Sequence, residues 1–116
     1  MDTRTKIVPL AEGARIAADG ATVITGYFDP LLAWHAERLK EAKQGTRPLL
    51  VAIADPTEPP ILPSRARAEL VAGLAVVDYV VESAHGIRAH ARLEEEDERK
   101  LQELIEHVRA RNPLRS

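Results

Sequence analysis

Apolar positions along the chain switch between short runs and helical stripes. Ala21-Thr22-Val23-Ile24-Thr25 and Leu49-Leu50-Val51-Ala52-Ile53 are β-branched or aliphatic almost throughout, the pattern of strands buried on both faces of a parallel sheet. They predict strands over residues 21–25 and 48–54, and a third run predicts one over 76–81. Between the runs the apolar spacing changes to three and four. Leu10, Ala14, Ile16 and Ala17 give a modest stripe over residues 9–19, with Gly20 as the stop. A second helix is predicted over 31–43, closed by Gln44-Gly45. A third is predicted over 64–75, with Ser64 as N-cap and Leu70, Val71 and Leu74 turned inward. Residues 55–63 hold four of the eight prolines, which deny the backbone its donors and make an irregular loop. Residues 82–92 fit either a loop or a short extra strand.

The last segment, residues 93–112, is the clearest helix. Glu94, Glu95, Glu96 and Asp97 crowd its start, while Arg109 and Arg111 lie near its end; both suit the helix dipole. Leu101, Leu104, Ile105 and Val108 share one face. That face is expected to pack on the sheet, with a dimer or partner contact as the other use. Pro113 stops the helix. Strand, helix, strand, helix, strand is the order of right-handed crossovers in a parallel sheet. The expected fold is therefore α/β, a three-layer Rossmann-like domain with a short parallel sheet and a C-terminal helix, filling residues 1–116 as one domain.

Composition narrows the chemistry. With 45% hydrophobic and only 3% aromatic residues, the core is aliphatic. A net charge of −2 gives no basic footprint for nucleic acid or an anionic membrane. The chain has no cysteine, so disulfides, thiol catalysis and thiolate metal sites are excluded. No apolar run has the length of a membrane span or the look of a signal peptide, and a cytoplasmic setting is expected.

In an open parallel sheet, ligands bind beyond the carboxyl ends of the strands. Three loops meet that description: 26–31, 55–63 and 82–92. In the first, Gly26 follows a buried strand and lets a backbone approach a ligand, and the next helix N-terminus favours an anion. Its candidate residues have structural uses too. Phe28 can pack the turn, and Asp29 can cap a helix whose first residue is Pro30. Of the other histidines, His85 and His90 do not share a strand face, which argues against a metal site. His107 sits where a helix C-terminus favours a cation.

The run Val23-Ile24-Thr25-Gly26-Tyr27-Phe28-Asp29-Pro30-Leu31-Leu32-Ala33-Trp34-His35 resembles the first motif of the cytidylyltransferase-like nucleotidyltransferases. It is most similar to the sugar-phosphate branch that includes the heptose and glycerol-phosphate enzymes. That motif reads Gly-x-Phe-Asp, two residues, then His-x-Gly-His. Arg65-Ala66-Arg67-Ala68-Glu69-Leu70 followed by Val77-Asp78-Tyr79-Val80-Val81 resembles the same branch, as does the lead-in Lys6-Ile7-Val8-Pro9-Leu10. The likeness spans about residues 6–81.

The resemblance implies His35 as a catalytic residue. It also implies Gly26, Tyr27, Phe28, Asp29, Arg65 and Arg67 around a nucleotide or its phosphates, with Mg2+ carried by CTP or ATP. The departures are equally specific. Leu32 stands where the first motif histidine would donate, and Trp34 stands where a glycine leaves room for the nucleotide. The loop 55–63 has no lysine, the only lysine after Lys43 being Lys100, and the family's hydroxyl-rich motif before its last helix is absent. One preorganised donor to transition-state charge is worth about 2.7–4 kcal/mol, and phosphoryl-type chemistry depends almost wholly on positioning and charge. The expected function is thus that of a degenerate nucleotidyltransferase-like protein, weakly active or inactive, acting by binding a ligand or partner. An active enzyme of reduced design and a structural homodimeric module are the alternatives.

Overall fold

The computed structural model describes residues 2–43 and 45–111. After a short 3-10 turn (Thr3–Lys6), the elements are α1 (Leu10–Ala18), β1 (Thr22–Gly26), α2 (Ala33–Ala42), β2 (Leu49–Ile53), α3 (Ser64–Ala72), β3 (Tyr79–Val81), β4 (Ala91–Arg92) and α4 (Glu94–Arg111). The four strands form one sheet in the order β3-β2-β1-β4, parallel throughout. The Rossmann-like α/β expectation is met. Residues 82–92 resolve into a loop that ends in β4, flanked by hydrogen bonds from His90 N–H to Val23 O and from Leu93 N–H to Thr25 O, both 2.8 Å.

Period-two alternation divides the sheet's side chains between two helical layers. Leu49, Val51 and Ile53 join Ile24 and Val80 in a core with Leu39 of α2 and Ala68, Val71 and Ala72 of α3. On the other face Leu50 and Ala52 join Val23 and Val81 beneath Ile16 and Ala17 of α1. Gly13 brings α1 close to the sheet, because a Cβ there would overlap Val81 Cγ1. No helix among the described residues is long and apolar enough to cross a membrane.

Four local expectations are corrected. Ser64 is the first residue of α3 rather than its N-cap; Pro63 holds the cap position, and Ser64 Oγ donates to Glu82 instead. Leu70 faces solvent (47% exposed), while Val71 is buried. Asp29 does not cap a helix at Pro30. Its carboxylate accepts the backbone N–H groups of Ile61 and Leu62 at 2.7 and 2.8 Å, and α2 starts only at Ala33. Finally, the α4 stripe is not packed on the sheet. Leu93 joins the core, but Leu101, Leu104, Ile105 and Val108 are 37–51% exposed. α4 runs past the globular part, and the molecule measures 53 × 29 × 27 Å. The predicted helix end at Asn112 and its stop at Pro113 lie outside the described residues, as does Gln44 of the expected Gln44-Gly45 close.

Candidate functional site

The chain leaves β1 towards β2 and β3, then returns to place β4 on the opposite side of β1. This reversal puts the carboxyl end of β1 at the point where parallel sheets hold ligands. The first turn of α4 lies over it. His35, third residue of α2, is 1% exposed. Its Nδ1 accepts the backbone N–H of Leu32 at 2.9 Å. This is the reciprocal half of a capping box, with an imidazole in place of the usual Glu or Gln. An accepting Nδ1 leaves the proton on Nε2, and that Nε2–H donates in a very short contact to Asp97 Oδ1 on α4. The other carboxylate oxygen, Oδ2, accepts the backbone N–H of Tyr27 at 2.9 Å. The ring is stacked on Trp34, centroids 3.9 Å apart, and Phe28 leans on it at 4.9 Å.

The remaining sequence candidates have partners as well. Gly26 backs onto the ring of Phe28, where a Cβ would come within 2.8 Å of Cε2. Phe28 folds back through a left-handed backbone (φ 49°) and is fully buried. Arg67 is 1% exposed. Its guanidinium donates to the carbonyls of Leu62, Tyr27 and Ala54 at 2.9–3.1 Å and to Asp55 at 3.2 Å, tying the loops after β1 and β2 together. Arg65 is exposed and pairs with Glu69 at 3.4 Å and Glu82 at 3.5 Å. The structure thus brings Gly26, Tyr27, Phe28 and His35 together and leaves Arg65 outside that cluster. His90 is held at the sheet edge, its Nδ1 accepting Val23 N–H at 3.0 Å.

A cleft of about 220 Å³ opens beside this cluster, between the loop after β1, residues 56–58 and α4. Leu32, Trp34, Leu101 and Leu104 make its walls apolar, and Glu58 and Glu98 stand at it. Lys100 is the one cation among its described lining residues, and its Nζ sits 5.7 Å over the Trp34 ring, within cation–π range. A second hollow at the strand ends carries Asp55, Glu94 and Glu95 against Arg92. The field is negative around Tyr27: burial first, then the charges of Glu98 and Glu94, push its phenol above the ordinary value. Among the described residues no group of three or more His, Asp or Glu is placed to hold a metal ion.

Asp97 is the site residue that the sequence pattern does not single out, since it sits within the acidic run that suits the start of α4. A signal was present: Asp97 lies four residues before Leu101, so it continues the apolar face of α4 rather than the polar one. Neither a comparison with protein-family models nor one with curated protein sequences finds a match. The likeness to nucleotidyltransferases therefore rests on the motif residues themselves.

Proposed function

We propose that this chain is a catalytically silent nucleotidyltransferase-like module that works by binding. One observation carries the reading: the Asp97 carboxylate is seated on His35 Nε2 and Tyr27 N–H. In the family that the motif resembles, the equivalent histidine donates to nucleotide phosphate. Here an internal anion takes the donor. The supporting facts agree in sign. Leu32 offers no second donor, Arg67 is tied to carbonyls, and Arg65 faces glutamates. The cavities at the strand ends are edged by carboxylates, which repel a polyphosphate. What the site offers instead is an apolar cleft continuous with the exposed stripe of α4, suited to an apolar surface rather than to a nucleotide.

A nucleotidyl-transfer assay tests this reading. CTP or ATP with Mg2+ and a panel of phosphorylated small molecules should give no product above a protein-free control. Product that disappears in His35→Ala would restore the active-enzyme alternative.

A further inference from the structure

α4 carries its packing face beyond the body of the molecule. Asp97 points this face at His35, Leu101 and Leu104 edge the cleft, and the stripe then continues through Ile105 to Val108 with its side chains 37–51% exposed. Deepening the binding reading above, we infer that the surface covering this stripe is a second copy of the chain, its α4 running antiparallel to the first.

The stripe is built for self-pairing. A two-fold interface must be self-complementary, and the spacing of Leu101, Leu104, Ile105 and Val108 reads the same in both directions. An antiparallel pair sets Leu101 against the partner's Val108 and Leu104 against the partner's Ile105. Charge selects the same arrangement. Glu98 and Arg109 lie about three turns apart on the same flank of the stripe, and among the described residues neither is in an ion pair. The two-fold brings Glu98 to the partner's Arg109 twice, whereas a parallel pair sends the two copies' Glu98 and Arg109 to opposite flanks of the seam and makes neither contact. The same placement lays the outer half of each α4 along the other copy's cleft, covering the apolar walls made by Leu32 and Trp34. The interface is small for a stable dimer, so association in the micromolar range is expected.

Sedimentation equilibrium of the whole chain reads this directly. The wild type should show a concentration-dependent monomer–dimer equilibrium. Leu104→Asp should be a monomer with unchanged circular dichroism. Glu98→Arg and Arg109→Glu should each weaken the dimer by about tenfold, and the double reversal should restore most of the loss. A wild type that stays monomeric at every concentration overturns the inference. So does a dimer indifferent to Leu104→Asp, or a double reversal that recovers nothing. A monomer that also fails to bind nucleotide would remove the second copy and leave the silent site standing.

Discussion

At the scale of single residues, two side chains that read as phosphate ligands hold the protein together. His35 closes the start of α2 through Leu32 N–H and docks α4 through Asp97. Replacing Asp97 by Ala would orphan two donors, His35 Nε2–H and Tyr27 N–H, and should cost about 3 kcal/mol in urea denaturation. The same variant empties an anion-shaped site. Inorganic phosphate should therefore raise the melting temperature of Asp97→Ala and leave the wild type unmoved. Arg67 is the second case. Arg67→Ala leaves the carbonyls of Leu62, Tyr27 and Ala54 without their donor and should cost about 3–5 kcal/mol. Arg67→Lys should recover little of this by chemical denaturation, because an ammonium cannot reproduce the planar fork. The motif residues were legible in the sequence, but their use was not. A residue type alone does not say whether its donors meet a ligand or a neighbouring helix. That was decided by Asp97, over sixty residues further along the chain.

At the scale of elements, the buried runs and the glycine stops placed β1, β2 and the helices well, because both-face burial and helix termination are local signals. The edges were harder. β3 is only Tyr79–Val81, since residues 73–77 are still turning through hydrogen bonds from Leu74 N–H to Val71 O and Val77 N–H to Leu74 O. β4 has two residues and exists only through its register with Ile24 and Thr25, which no local pattern announces. Two contacts between elements give tests. Gly13→Ala pushes a methyl into Val81 and should cost about 1–3 kcal/mol in thermal unfolding. Asp78 joins the start of β2 to the end of α2 by accepting from Leu49 N–H at 2.8 Å and Lys43 Nζ at 2.5 Å. Burial pushes its pKa up, but these donors and the charge of Lys6 outweigh burial and hold it below the ordinary 3.8. A lowered folded pKa means that the stabilisation is complete above that ordinary value and is lost as pH falls through the folded one. Asp78→Asn should therefore be less stable than wild type by about 1 kcal/mol at neutral pH, a figure reduced for its partial exposure. The gap should close as the pH drops below the ordinary carboxylate range, read by urea midpoints across pH.

At the scale of the whole molecule, one geometric fact organises the rest. β4 crosses to the far side of β1, and α4 follows it at once, so the chain lays its own acidic helix start over the place where a parallel sheet receives ligands. The sequence pattern locates the start of α4 but sets its apolar face on the sheet. Only the two-residue β4 fixes where α4 begins, and so how much of it reaches the core. What results is a carboxylate seated on His35 and Tyr27 beside an apolar cleft, the arrangement on which the proposed silence toward nucleotides rests. Calorimetric titration of the wild type with CTP or ATP in the presence of Mg2+ tests this most directly. The account predicts no saturable heat for either nucleotide, and a saturable heat that His35→Ala abolishes would contradict it.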